Sequence, residues 1–104
     1  MSLKALSPLA IGLALAFAGN AALADEATAK SNGCTACHAI DKKIVGPAYK
    51  SIAEKYKGDA TAADRLAKEV RTGHKGTWGN VPMPPQSKIS DADLKKVIAW
   101  VLAL

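Results

Sequence analysis

The stretch Cys34-Thr35-Ala36-Cys37-His38 decides how the rest of this 104-residue chain is interpreted. Its pattern, C-x-x-C-H, is that of an attachment site for a c-type haem. Two cysteines three residues apart on a helical turn lie side by side, roughly 5–6 Å apart at Cβ. Both sulfurs can therefore form thioethers along one edge of a porphyrin, and the histidine that follows is carried under the ring. The sequence contains no other cysteine.

Three other interpretations of this pattern stay open at this point. A C-x-x-C pair can be a redox disulfide of the thioredoxin kind, although that motif belongs in a strand–helix–strand setting. It can be half of a zinc site, but a closed structural site needs four ligands and only His74 remains as a further nitrogen ligand. A pattern this short also occurs by chance.

Residues 1–24 are predicted to be a cleaved signal peptide. Lys4 supplies a positive start, and residues 9–18 form an apolar run shorter than the roughly 20 residues that span a bilayer. Ala22-Leu23-Ala24 matches an A-x-A cleavage site. An uncleaved anchor is the alternative. Cleavage after Ala24 leaves residues 25–104 as one domain.

A domain of this size has difficulty building a sufficient apolar core on its own, because chains of roughly 70–80 residues or fewer usually need a staple. Aromatic residues make up only 5% of the sequence. A large, flat, apolar cofactor at the centre would supply the missing core. The net charge of +5 comes from lysines spread along the chain. They do not form a basic patch with aromatic residues between the charges, which is typical of nucleic-acid binding.

The apolar periodicity predicts helices and no strands. A short helix over residues 25–32 is predicted to end at Gly33. Gly46-Pro47 is predicted to open a second helix with Pro47 in the first helical position and Gly58 beyond its end. Its predicted buried face consists of Tyr49, Ile52, Ala53 and Tyr56.

Two further helices are predicted in the second half of the chain. Thr61 and Asp64 resemble a capping box, and the helix they begin is predicted to stop at Gly73. Its apolar stripe consists of Ala63, Leu66, Ala67 and Val70. Ser90 is predicted to cap the last helix, whose buried face consists of Leu94, Val97, Ile98, Val101 and Leu102. Because nothing alternates with period two, the predicted fold class is all-α.

The loop over residues 72–89 is rich in glycine and proline, a composition taken to exclude both helix and sheet. Met83 lies between Pro82 and Pro84, which hold the backbone extended and stiff. A methionine in this setting can fill a core, but a stiff segment that presents one thioether is also what a second axial haem ligand requires. We favour ligation by Met83. The alternative, His74, is expected to be a mobile, solvent-exposed side chain.

The sequence resembles the short bacterial class I cytochromes c of the cytochrome c-551/c-552 type. The resemblance covers nearly all of residues 25–104 and rests on NGCTACHAIDKK, IVGPAYK, GTWGNVPMPP and the final AWVLAL. It implies a small fold of about four helices wrapped around one haem c. No single motif carries this resemblance; the four together do.

The resemblance also implies roles for individual residues. Cys34 and Cys37 would bear the thioethers, and His38 and Met83 would ligate the iron. The carbonyl of Pro47 would accept a hydrogen bond from the proximal histidine and raise its basicity. The indole of Trp78 would donate to a haem propionate, the alternative being an ordinary packing tryptophan.

The function implied is that of a periplasmic one-electron carrier and not of an enzyme. An iron held by His38 and Met83 has no open coordination position, so an enzyme or gas sensor would need a displaceable sixth ligand. A thiol–disulfide protein would need free cysteines. The expected partners are membrane cytochrome donors and a terminal reductase or oxidase of a respiratory chain. The protein is expected to be a monomer without stable membrane insertion.

Overall fold

The computed structural model describes residues 25–104, so the predicted signal peptide and its cleavage site lie outside the described residues. The described part contains four α-helices, one 3-10 turn and one small hairpin. In chain order these are α1 (residues 25–31), the 3-10 turn Cys34–Ala36, α2 (Tyr49–Lys55), α3 (Ala62–Thr72), β1 (His74–Gly76), β2 (Gly79–Met83) and α4 (Asp91–Leu102). The four-helix prediction is confirmed.

Helix α1 ends where the sequence predicts. Gly33 adopts the left-handed conformation at φ 80°, which glycine tolerates without a steric cost. The side-chain amide of Asn32 donates to the Thr28 carbonyl at 2.9 Å and to a carboxylate oxygen of Asp93 at 3.4 Å. Asn32 therefore both closes α1 and connects it to α4.

Helix α2 begins later than predicted. Ala48, in extended conformation, is its N-cap residue, so Pro47 lies before the helix and not in its first turn. The first amide groups of the helix are satisfied by the preceding loop, because Tyr49 N donates to Ala39 O and Lys50 N donates to Ile40 O, both at 2.9 Å. This pairing leaves the Pro47 carbonyl available for another donor.

The predicted capping box of α3 is wrong, although Thr61 is its N-cap residue. The Thr61 hydroxyl donates instead to Asp59 Oδ1 at 2.7 Å and accepts from Arg65 Nη1 at 3.1 Å. Hydrogen bonds from Thr61 and Arg65 lower the pKa of Asp59 to about 2. The acidic residue that bonds Thr61 is therefore Asp59, which precedes the helix, and not Asp64, which lies within it.

The apolar stripe of α3 is also partly corrected. Leu66 is buried and Ala67 and Val70 are partly buried, as predicted, but Ala63 is exposed and Ala62 is fully buried in its place. Gly73 ends the helix at φ 87°. Helical spacing predicts the buried face of a helix, but it does not decide which of two adjacent alanines belongs to that face.

Helix α4 matches its prediction closely. Asp93 N donates to Ser90 Oγ at 3.1 Å, which satisfies one of the free amides at the helix start. Its inward face joins both hydrophobic clusters of the described residues. One contains Ala62, Leu66, Ile89, Leu94 and Ile98, and the other contains Ala29, Tyr49, Val97 and Val101.

The expectation that residues 72–89 exclude sheet is wrong. Strands β1 and β2 pair antiparallel, with His74 opposite Met83 and Gly76 opposite Gly79. The two glycines flank the turn at φ 111° and 115°, a backbone region that other residues rarely adopt. Pro82 is tolerated in β2 because a two-stranded ribbon has free edges, where a missing amide hydrogen costs little.

Candidate haem site

The helices and the hairpin surround a cavity of about 290 Å³ whose walls are largely apolar. The C-x-x-C-H turn lines it with Cys34, Cys37 and His38, and the hairpin lines it with Met83 and Trp78. Core residues of α3 and α4 complete the wall, among them Leu66, Val70, Leu94, Val97, Ile98 and Val101. The fold thus brings the two predicted ligands and both cysteines to one cavity.

The cysteine turn is built by local main-chain bonds. Cys37 N and His38 N both donate to the Cys34 carbonyl, at 3.2 and 3.0 Å. Both thiols are free and partly buried. Burial raises the pKa of the Cys34 thiol above its ordinary value, which disfavours the thiolate that disulfide exchange requires. The turn also lacks the strand–helix–strand setting of thioredoxin-type motifs, because in the described residues α1 precedes it and α2 follows it.

The His38 imidazole has a fixed orientation. Its Nδ1 lies 2.8 Å from the Pro47 carbonyl oxygen. A carbonyl oxygen only accepts hydrogen bonds, so Nδ1 carries a proton, and Nε2 is the ring nitrogen left to bind a metal. Gly46 N donates to Cys37 O at 2.8 Å and closes the loop between the two motifs. The hydrogen bond at Nδ1 thus orients the imidazole as the hydrogen-bond partners of metal-binding histidines do.

Gly46 leaves the space that the imidazole occupies. A β-carbon at this position would lie 2.5 Å from His38 Cε1 and 2.9 Å from His38 Nδ1. The sequence prediction treated Gly46 only as a helix opener and missed this contact. The sequence does contain a signal for this contact. A residue before proline is restricted to extended backbone whatever its type, so glycine at this position indicates that a side chain would not fit.

Tyr49 has a role that the sequence did not reveal. Its ring stacks on His38 with centroids 5.3 Å apart and meets Trp100 edge-on at 5.4 Å. Its hydroxyl is buried and has no hydrogen-bond partner among the described residues, and burial raises the pKa of the phenol. A buried hydroxyl without a partner is costly, so this cavity wall fits a bound group that carries a polar substituent.

The structure places His74 differently from its prediction. Its side chain is only 30% exposed and lies at the cavity, across the hairpin from Met83. Nε2 lies 2.6 Å from the Thr77 hydroxyl, and Nδ1 lies 3.8 Å from Glu69 Oε1. The expectation of a solvent-exposed side chain is therefore corrected, because His74 is half-buried. Both ring nitrogens nevertheless face protein groups.

Trp78 sits in the turn of the hairpin and lines the cavity with part of its ring. The residue is 39% exposed. The Lys55 ammonium lies 5.7 Å from the centroid of its ring, within the range of a cation–π interaction. This contact connects the hairpin to the end of α2. The donation to a haem propionate stays a prediction.

The described part of the fold does not support the zinc interpretation. Across residues 25–104, no group of three or more histidine, cysteine, aspartate and glutamate side chains is arranged to hold a metal ion. The donors at the cavity are instead two thiols, one oriented imidazole and one thioether. With the apolar wall and the unpartnered Tyr49 hydroxyl, this donor set fits a haem.

Comparison with known proteins supports the interpretation of this cavity as a haem site. The family model of cytochrome c matches residues 22–104. Cytochrome c-551 of Allochromatium vinosum is 52% identical over 83 residues, which cover 80% of this chain and 88% of that protein. Cytochrome c-552 of Nitrosomonas europaea is 48% identical over 83 residues, covering 80% and 81%. Its wild-type crystal structure superposes with a TM-score of 0.74 at 47% identity, over 76% of this chain and 98% of that one.

Proposed function

The chain belongs to the cytochrome c family, within its class I c-551/c-552 type, and on that premise we propose that it is a periplasmic one-electron carrier with His38 and Met83 as axial ligands. It carries covalently bound haem c and is an electron-transfer protein, not an enzyme. When bound, the haem iron supplies reversible one-electron exchange between its ferric and ferrous states. The residues of the chain determine how the iron is held.

Cys34 and Cys37 are the attachment points in this proposal. Their spacing along a 3-10 turn supports it, because both sulfurs face the same cavity from one short segment. His38 follows directly and is already held by the Pro47 carbonyl. The hydrogen bond at Nδ1 increases the electron density at Nε2 and strengthens that nitrogen as a ligand.

Met83 is the proposed sixth ligand, and one observation carries this assignment. Met83 and His38 line the same apolar cavity, while both nitrogens of the competing His74 face Thr77 and Glu69. Pro82 and Pro84 restrict the backbone on either side, so the thioether is held at a low entropic cost. A thioether in a dry pocket favours the ferrous form and raises the potential.

A saturated coordination shell defines the proposed role. With His38 and Met83 both holding the iron, no site would remain for oxygen, peroxide or nitrite, so the protein would exchange electrons with other proteins and not with small substrates. None of the helices in residues 25–104 is long and apolar enough to cross a membrane. We place the protein in the periplasm as a monomer, exported by residues 1–24 with cleavage after Ala24.

The proposed partners are membrane cytochrome donors and a terminal reductase or oxidase of a respiratory chain. Exposed apolar side chains lie beside the cavity, with Val45 and Val81 both lining it and exposed by 51% and 66%. Lys43 and Lys75 lie at the same edge. This combination supports docking at the haem edge through apolar contact, with weak steering by positive charge.

Substitution of each candidate ligand tests the assignment. Met83→Ala is expected to abolish the weak band at the red end of the ferric spectrum, lower the potential and open the iron to cyanide or carbon monoxide. His74→Ala is the matched control from the facing strand and is expected to leave all three nearly unchanged. Loss of the sixth ligand in His74→Ala alone would overturn the assignment of Met83 as the sixth ligand.

A further inference from the structure

Residues 84–89, here called the exit segment, connect Met83 to the start of α4 without regular secondary structure. Pro84 and Pro85 have no amide hydrogen, so this backbone offers carbonyl oxygens but few donors. Ile89 anchors the far end of the segment in the hydrophobic core, and the residues before it depend mainly on hydrogen bonds from elsewhere in the fold. The exit segment obtains those bonds from the end of α3.

Arg71, in the last turn of α3, supplies most of these bonds. Its Nη1 donates to the carbonyl oxygens of Gln86 at 3.0 Å and Ile89 at 2.6 Å, and its Nη2 contacts Asp91 Oδ1 at 2.7 Å. Gln86 N also donates to the Val70 carbonyl at 2.9 Å. One guanidinium group therefore spans the exit segment from its middle to the first residue of α4.

The carbonyl contacts are expected to matter more than the ion pair. The Asp91 side chain is fully exposed, and exposed ion pairs contribute little. The Arg71 side chain is 29% exposed, so its bonds to the two carbonyls are shielded in part from water. Hydrogen bonds from a charged donor are stronger than neutral ones, and the planar guanidinium can serve two acceptors at once.

The entry to the hairpin is held at the same helix end. A β-carbon on Gly73 would lie 3.0 Å from Pro85 Cδ and 3.1 Å from the Met83 carbonyl oxygen. The end of α3 is thus in close contact with Met83 on one side and bonded to the exit segment on the other. Movement of Met83 away from the cavity requires these contacts to separate.

We propose that Arg71 is a positioning residue for Met83, which limits how often the thioether leaves the iron by bonding the exit segment to α3. The inference rests on the proposed ligation by Met83. Arg71 does not line the cavity and would act only through the backbone of the exit segment. Its loss would loosen the exit segment, which would then keep only the Gln86–Val70 bond and the buried Ile89 side chain, while leaving the His38 side of the site intact.

The test measures the release of Met83 in the haem-loaded ferric protein. Imidazole at saturating concentration binds at a rate limited by Met83 dissociation, which stopped-flow absorption records. Arg71→Gln is compared with Arg65→Gln, a matched control because Arg65 also lies in α3 and bonds an aspartate and a second acceptor, Asp59 and Thr61, away from the cavity. Asp91→Asn removes the ion pair but keeps the carbonyl bonds.

Arg71→Gln is expected to bind imidazole at least tenfold faster than wild type, as follows from losing charge-assisted hydrogen bonds. Arg71→Lys is expected to fall between the two, because one ammonium can still reach a carbonyl. Arg65→Gln and Asp91→Asn are expected to stay within about twofold of wild type, since exposed pairs contribute little. The red band of the ferric spectrum should persist in all four variants.

Equal imidazole rates in Arg71→Gln and Arg65→Gln would overturn the proposal, as would a rate in Arg71→Lys no faster than wild type. The second comparison decides the matter if Arg71→Gln does not fold. The failure of the underlying ligand assignment is distinguishable from this, because a wild-type ferric spectrum that lacks the red band would already exclude Met83 as ligand before any Arg71 variant is compared.

Discussion

Gly46→Ala is expected to damage the proximal side of the site more than its small size suggests. The added methyl group would lie 2.5 Å from His38 Cε1, where non-bonded carbons normally approach to about 3.5–4.0 Å. The imidazole must therefore move by about 1 Å or the loop must shift. The movement is restricted, because the His38 ring also stacks on Tyr49 with centroids 5.3 Å apart and its Nδ1 is bonded to Pro47 O.

The cost of this substitution can be estimated from its parts. Overpacking a filled site typically costs about 1–3 kcal/mol. A displacement of about 1 Å would also stretch the 2.8 Å contact between His38 Nδ1 and Pro47 O beyond hydrogen-bond length, and one such bond contributes about 0.5–1.5 kcal/mol. We expect a total destabilisation of about 2–4 kcal/mol and a higher reduction potential, because a weaker histidine donor favours the ferrous iron.

Denaturant unfolding followed by circular dichroism measures the stability, and redox titration measures the potential. Gly58→Ala is the control. Gly58 adopts φ 81° with no atom near its missing β-carbon, so alanine there should cost about 1–2 kcal/mol of stability through backbone strain alone and leave the potential unchanged. A Gly46→Ala protein with wild-type stability and potential would refute the close-contact reasoning.

Three further predictions follow from other parts of the molecule. Asp59→Asn should lower stability at neutral pH, and the difference in stability from wild type should vanish as pH falls from about 4 to 2. The reason is that the folded pKa of about 2 lies below the ordinary 3.8, so the stabilisation is lost as the carboxylate protonates. A pH series of thermal unfolding measures this, and a difference that stays constant with pH would contradict it. Tyr49→Phe should destabilise the haem-loaded protein by about 1 kcal/mol if the cofactor satisfies the phenol, whereas unchanged or higher stability in denaturant unfolding would show that the hydroxyl gains nothing there. Electron transfer to an acidic redox protein should slow as salt is added, since steering is screened beyond roughly 8 Å at physiological ionic strength; stopped-flow rates that stay flat from low to high salt would refute steering by lysines such as Lys43 and Lys75.

Sequence reasoning succeeded where the determining interactions are local. The Ser90 cap depends on an amide three residues away, and Gly33 and Gly73 end their helices through their own backbone conformation. The helical face of α4 follows from its spacing alone. The C-x-x-C-H turn is likewise complete within five consecutive residues, since its amides bond the Cys34 carbonyl.

It failed where two segments compete for the same groups. Thr61 was assigned to a capping box, but Asp59 lies two residues upstream and takes its hydroxyl instead. The hairpin was excluded because glycine and proline oppose regular strands, yet Gly76 and Gly79 supply the backbone conformations that its turn requires. The amino-acid composition of a glycine-rich loop does not show which of its residues pair with each other across a hairpin.

The parts of the site that were missed depend on contacts between distant segments. Tyr49 was identified as a buried helix residue, but its stacking on His38 needs the loop between them to fold back. The Arg71 bonds join residues 15 to 20 positions apart in the chain. No spacing rule predicts such pairs, because the acceptors are mainly backbone carbonyls that every residue possesses.

The two sides of the cavity are therefore held by different kinds of interaction. The His38 side is closed by main-chain bonds within a short stretch that ends at Pro47, so it persists as long as that loop is folded. The Met83 side is held by the β1–β2 pairing and by contacts from other helices, through Arg71 to the exit segment and Lys55 to the hairpin turn. Local opening begins where buried contacts are few and backbone hydrogen bonds are exposed, and most residues of the two strands are exposed. With the proposed ligation by Met83, any loosening of α3 against α4 should consequently release the thioether while His38 stays in place, and we expect external ligands to enter on the Met83 side.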